Sequence, residues 1–166
     1  MKSFENIILI GMSGAGKSTL GVLLAKALGK HFVDTDILIQ QSTGKLLQQL
    51  IDEEGNEAFL RMEEETVSAL CLRDCVIATG GSVVYSEKAM AALKQNGTAV
   101  YLAVDYAELA GRLSNITTRG IVFKGKNDLR SVYLERLPLY EKYADIRVEC
   151  TRTDIEAAVQ AVLSKL

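Results

Sequence analysis

The sequence has no tryptophan, one proline, three cysteines and no apolar run approaching membrane-spanning length in its 166 residues. Each shortage excludes something. Without tryptophan, intrinsic fluorescence reports tyrosine alone. Without about 20 consecutive apolar residues, no spanning helix is expected. The cysteines are odd in number and lack metal-ligand spacing, which excludes a disulfide framework and a cysteine-held metal. Free thiols in a reducing cytoplasm are expected. The net charge is −2 with no basic block, so a nucleic-acid partner is not favoured. The apolar run Ile7 to Ile10 is four residues long and ends at glycine, which suits a buried strand better than a secretion signal. The sequons at Asn96 and Asn115 carry no weight in a chain without an export signal.

What is present is an ordinary globular composition, 48% hydrophobic and 24% charged, sufficient for one domain spanning residues 1–166 and acting as a monomer. Short apolar runs alternate with amphipathic stretches. NIILIG precedes a helical pattern through Leu28. HFVDTD precedes helices through Leu70. CVIATGG precedes a helix ending near Asn96, and TAVYLAV precedes a helix from Asp105. A helix containing Pro138, a strand near Ile146 to Glu149 and a helix capped by Thr153 or Asp154 complete the chain. This βαβα rhythm predicts an α/β fold: a three-layer α/β/α arrangement with a five-stranded parallel sheet.

Gly11 to Ser18 fits G-x-x-x-x-G-K-[ST] between a predicted strand and a predicted helix. Chance gives this pattern in about one chain in a few hundred, before that context is required. Its glycines free the backbone to aim N–H groups at phosphate oxygens, and the helix adds its positive end. Gly11, Gly14, Ala15, Gly16, Lys17, Ser18 and Thr19 are thus the expected nucleotide-binding residues. Lys17 serves the outer phosphates and Ser18 serves Mg2+ beside ATP. The base-reading N-K-x-D of a GTPase is absent.

Asp34-Thr35-Asp36, Thr79-Gly80-Gly81, Arg112, Arg119 and Arg136-Leu137-Pro138-Leu139-Tyr140 follow in order. Together with the P-loop they resemble the shikimate kinase family along essentially the whole chain. The resemblance implies a P-loop kinase fold, with an acceptor-binding helical segment at about 37–70 and a lid at about 115–125. It also implies ATP- and Mg2+-dependent phosphorylation of a small hydroxylated acceptor, shikimate to shikimate 3-phosphate. By resemblance Asp34 joins Ser18 at the metal, Asp36 orients the acceptor hydroxyl and accepts its proton, and Arg112 packs on adenine. Arg119 closes with the lid onto the transferring phosphate, with Gly120 and Gly125 as hinges. Gly80 and Gly81 form a bare floor for the acceptor, and Arg136 pairs with its carboxylate.

Bland readings compete: a helix cap for one aspartate, a tight turn for the glycines, a surface salt bridge for Arg112, a solvated loop position for Arg119 and an exposed helix cation beside Glu135 for Arg136. Side-chain alternation along a strand would point Asp34 and Asp36 to one face.

The pattern departs on the acceptor side. Aligned on G-E-x-x-F-R-x-x-E, Phe59 and Glu63 match, Leu60 stands at the substrate-binding arginine, and Arg61 comes one residue late. One residue is about 100° of helix rotation, so Arg61 is expected to turn away from where Leu60 faces. Ser82 stands at the third glycine, and the lid reads Arg119-Gly120-Ile121-Val122. A kinase for another polyol or sugar acid, and a silent nucleotide-binding regulator, are the alternatives.

Overall fold

The computed structural model describes residues 6–114 and 128–166. Five strands form one parallel sheet: β1 (Asn6–Ile10), β2 (His31–Asp34), β3 (Cys75–Ala78), β4 (Gly97–Ala103) and β5 (Ile146–Glu149), in the order β2-β3-β1-β4-β5. Ile8 on the central strand lies opposite Ile77 on one side and Ala99 on the other. The inner strands read as near-continuous apolar runs because both of their faces are covered. Ile8, Leu9, Ile10, Val76, Val100 and Leu102 are fully buried, whereas edge strands β2 and β5 are partly exposed.

Parallel neighbours need crossover connections, and helices supply them. They are α1 (Lys17–Leu28), α2 (Thr35–Thr43), α3 (Leu47–Glu54), α4 (Asn56–Ser68), α5 (Glu87–Lys94), α6 (Tyr106–Leu113), α7 (Leu129–Tyr143) and α8 (Ile155–Leu163), with a 3-10 turn at Val83–Tyr85. One group pairs α1 with α8; another pairs α4 with α5, while α5 and α7 lean on β4. The three layers expected from the βαβα rhythm are present. Among the described residues no helix is long and apolar enough to cross a membrane.

Side-chain caps set several boundaries. Asp105 and Asp154 each accept a hydrogen bond from the backbone N–H three residues on, at 2.8 Å, which begins α6 and α8. Of the two caps offered for the last helix, Asp154 acts. Asp34 caps α2, accepting from the N–H groups of Asp36 at 2.9 Å and Ile37 at 3.2 Å. The helix therefore begins directly where β2 ends. This corrects the expectation that Asp34 and Asp36 share a strand face, because Asp36 belongs to the first helical turn.

A small second core of Ile39, Leu47, Leu50 and Phe59 ties α2, α3 and α4 together, with Leu60 and Met62 packed against it. Gly21 shows how closely α1 lies on the sheet: a β-carbon there would sit 2.6 Å from Phe32 Cε2 and 3.2 Å from Leu9 Cδ1. Exchanging a helical glycine for a larger residue ordinarily helps a helix. Here Gly21→Val is expected to lower unfolding free energy by about 1–3 kcal/mol, read from thermal or denaturant melts by circular dichroism.

Candidate active site

The C-terminal edge of a parallel sheet is where ligands collect in open α/β folds, and the loop after β1 opens there. Gly11, Gly14 and Gly16 have φ of 146°, 87° and 93°. Side-chain-bearing residues rarely adopt these values, which explains the glycine spacing. Lys17, the first residue of α1, is only 8% exposed and folds over the loop. Its Nζ donates to the carbonyls of Gly11 at 2.7 Å and Met12 at 2.8 Å. Ala15 turns inward, its N–H donating to the Met12 carbonyl at 3.1 Å, while Ser18 and Thr19 stay exposed at the rim. The Ser18 hydroxyl donates to Asp34 Oδ2 at 2.6 Å. Cap, strand end and hydroxyl thus meet at one carboxylate.

A cavity of about 210 Å3 brings together Gly14, Gly16, Lys17, Ser18, Thr19, Asp34, Asp36 and Gly81. Ile37, Gln40 and Leu47 from α2 and α3 close its far wall. Gly11, Ala15, Gly80, Arg112 and Arg136 lie behind or beside it. Arg112 donates from Nη1 to the Gly14 carbonyl at 3.0 Å and pairs with Glu108 one helical turn earlier. It has both the ion pair of the bland reading and a position against the phosphate loop. Arg119 and the expected lid lie outside the described residues.

The side expected to take the acceptor is built on bare backbone. A β-carbon on Gly80 would collide with the carboxylates of Glu63 and Asp36. One on Gly81 would sit 2.9 Å from Arg136 Nη1 and 3.1 Å from Ser13 Oγ. The glycines are therefore required by close approach, not by an unusual turn. Arg136 is 1% exposed, which overturns its reading as a surface cation on α7. Its Nε donates to the Tyr85 hydroxyl at 3.3 Å, its guanidinium lies 5.2 Å from that ring's centroid, and the Tyr85 hydroxyl donates to Glu135 at 2.6 Å. Tyr140, one turn along α7, donates to the Gly81 carbonyl at 2.6 Å and holds the turn down.

Leu60 and Arg61 differ from expectation. Both line a second hollow of about 180 Å3 together with Glu63, Glu64, Ser82, Tyr85 and Ser86. Arg61 is exposed, as a surface cation should be, but it does not turn away from the hollow that Leu60 faces. The hollow is broad enough to span the contiguous face of 60, 61 and 64. Leu60 also rests on the Ile39–Phe59 cluster.

The described residues contain no group of three or more His, Cys, Asp or Glu able to cage a metal. Ser18 and Asp34 instead supply two hard oxygen donors beside the phosphate loop. That set fits magnesium, which takes one or two protein oxygens and completes its shell with water and phosphates.

A parallel sheet whose central strand feeds a phosphate loop, with carboxylates where the edge strand β2 passes into α2, defines a P-loop kinase. The chain belongs to the shikimate kinase family: the model of that family, described as "Shikimate kinase", matches residues 13–166. The shikimate kinases of Mycobacterium tuberculosis (strain ATCC 25177 / H37Ra) and Chlorobium chlorochromatii (strain CaD3) are each 38% identical to it. These alignments cover 96% of this chain and 92% and 90% of those relatives. Among solved structures, shikimate kinase from Acinetobacter baumannii in complex with shikimate superposes with a TM-score of 0.88 at 29% identity, over 99% of this chain and 93% of that one.

Glu63 was absent from the residues expected to form the site, although its place in the motif was legible. It is 2% exposed, in a buried stripe with Phe59 and Val67 at four-residue spacing. A carboxylate inside an apolar stripe was the available signal. Its Oε1 accepts from the Ser82 hydroxyl at 2.7 Å, while Oε2 is buried without a hydrogen-bond partner. Burial foremost pushes its pKa up to about 7, with the Asp36 charge adding to the rise. Ser82, Arg136 and Lys17 oppose the shift. The folded protein thus favours the acid form. That stabilisation is complete below the ordinary value of 4.5 and is lost as pH rises through 7. Glu63→Gln is expected to leave stability little changed near pH 5 and to raise it by about 1–3 kcal/mol at pH 8.5, measured by denaturant melts at both pH values.

Proposed function

We propose that this chain transfers the γ-phosphoryl group of ATP to a ring hydroxyl of shikimate, giving shikimate 3-phosphate. The observation that carries the reading is the single cavity in which the phosphate loop, the Ser18–Asp34 pair and Asp36 share one wall. Full-length similarity to shikimate kinases, one of them in complex with shikimate, supports the choice of acceptor.

In this reading, backbone N–H groups of the loop around Gly14 and Gly16 hold the phosphates and Lys17 exchanges its carbonyl partners for phosphate oxygens. Little covalent work falls to the protein in phosphoryl transfer, so positioning and charge stabilisation dominate. Asp36 accepts a hydrogen bond from the acceptor hydroxyl, aligns it for attack and takes its proton. Ser18 and Asp34 would hold magnesium, which when bound offsets charge on the β- and γ-phosphate oxygens. Arg136 binds the acceptor carboxylate from behind Gly81, where burial strengthens a charged hydrogen bond. Arg112 borders the adenine, and Arg119, carried over from the family pattern, approaches the transferring phosphoryl when residues 115–125 close. One chain carries every residue in this scheme, which is consistent with a monomer. A reducing cytoplasm suits the three free thiols, of which Cys71 is exposed.

A second reading, a kinase for another hydroxylated acid, is favoured by Leu60 at the position of a substrate-binding arginine. An assay coupling ADP release to shikimate and to a panel of cyclic polyols and sugar acids separates the two. The first reading expects shikimate to give the highest kcat/KM; stimulation by another acid alone would establish the second. Asp36→Asn is expected to lower kcat by about 10²- to 10⁴-fold while ATP affinity stays near that of the parent. A fully active variant would remove Asp36 from the chemistry.

A further inference from the structure

Two of the three departures on the acceptor side meet at one side chain. Leu60 withdraws a cation one helical turn before Glu63 on α4. Ser82, where the family pattern has glycine, supplies the hydroxyl that binds Glu63 Oε1 at 2.7 Å. Oε1 is thereby an acceptor already engaged, and the other oxygen is left to carry a proton. Oε2 is buried, has no hydrogen-bond partner, and lies over Gly80 beside the carboxylate of Asp36, which lines the phosphate-loop cavity, while Glu63 itself lines the hollow next to it. An unsatisfied buried oxygen is costly to retain unless a ligand completes it.

The groups facing Glu63 come from every neighbouring element. Asp36 approaches from the start of α2, Ser82 and Tyr85 from the turn after β3, Arg136 from α7 and Lys17 from the phosphate loop. Arg61 and Glu64 flank it on α4, and Ser86 closes the same hollow. Among the described residues the buried cations are Lys17 and Arg136, which the proposed reaction engages with phosphate and acceptor.

Resting on the assignment of a carboxylate acceptor, we infer that Glu63 takes over part of the missing arginine's task, binding the acceptor carboxylate as a neutral carboxylic acid that donates from Oε2. Glu63 is then a specificity-determining residue, and acceptor binding draws in one proton from solvent when Glu63 starts ionised. An arginine recognises the carboxylate with a permanent charge. This pocket uses a group that gives the hydrogen bond only while protonated, and the ionised form repels the same ligand. Burial, which already favours the acid form at about neutral pH, makes the exchange workable.

The test uses the full chain with shikimate, a carboxylate ionised throughout the range studied. Between pH 6 and 8.5 the KM for shikimate is expected to rise roughly ten- to thirtyfold while the KM for ATP stays within about twofold. Calorimetry in buffers of different ionisation enthalpy should show between about half and one proton taken up per shikimate bound at pH 7.5. Glu63→Gln keeps a neutral donor, and should hold the low-pH KM across the range with no proton uptake. Leu60→Arg should also remove both dependences, by keeping Glu63 ionised beside a cation. A flat KM with no proton uptake in the parent, or an undiminished pH dependence in Glu63→Gln, overturns the inference. Carbon-13 NMR of the free enzyme reads Glu63 without any acceptor: its carboxyl should titrate near neutrality in the parent and in the ordinary carboxylate range in Leu60→Arg. An ordinary titration in the parent overturns the inference even if shikimate is the substrate. Failure of shikimate to bind at any pH instead defeats the acceptor assignment and the inference with it.

Discussion

Lys17, Glu63 and Arg136 are all buried around the two glycines that follow β3, and the rest of the fold is organised to make that concentration of charge tolerable. Removing a charge from water is unfavourable by several kcal/mol unless hydrogen bonds and opposite charges replace the lost hydration. Lys17 and Arg136 have such replacements, whereas Glu63 has one at Oε1 alone and favours its acid form. Lys17 is held by two carbonyls of its own loop, Arg136 by the Tyr85 hydroxyl and ring, and Glu63 by Ser82. The elements that bring these partners in are distant in sequence. A sheet edge shared by several strands is what gathers them, and Gly80 and Gly81 keep the centre clear because a β-carbon at either would strike a charged side chain.

The parts that were legible in the sequence are those in which chemistry and geometry are local. The phosphate loop announces itself because three positive-φ positions need glycine at set intervals. Strand β5, a bare four residues, emerged at Ile146–Glu149 as expected, and Asp154 acts as the cap it looked like. Arg136 was singled out by its motif, but its burial was not foreseen, since nothing local says that a helix cation faces inward. Asp34 and Asp36 were both singled out, and both line the cavity, but they were wrongly related. The period of a strand was carried two residues too far, into a helix that the Asp34 carboxylate itself begins. Arg61 shows the converse limit: helix rotation was counted correctly, but the width of the hollow across residues 60, 61 and 64 depends on tertiary packing.

Membership of the shikimate kinase family is consistent with an intact nucleotide half and an altered acceptor half. The alteration is not simply a loss. Leu60 exchanges a cation for apolar contact with the small core that binds α2, α3 and α4 together, while Ser82 adds a hydroxyl where the family pattern has none. Both changes lie in the hollow that Glu63 also lines. In the proposed scheme their combined effect is to move part of acceptor recognition from a fixed charge to a proton, a different physical basis for holding the same class of ligand.

The most direct measurement is a crystal structure of the chain with ADP and shikimate bound. The account predicts the shikimate carboxylate within hydrogen-bond distance of both Arg136 and Glu63 Oε2, with a ring hydroxyl on Asp36 facing the phosphate loop. A shikimate carboxylate held by Arg61 at the rim, with Glu63 Oε2 still unengaged, would contradict it.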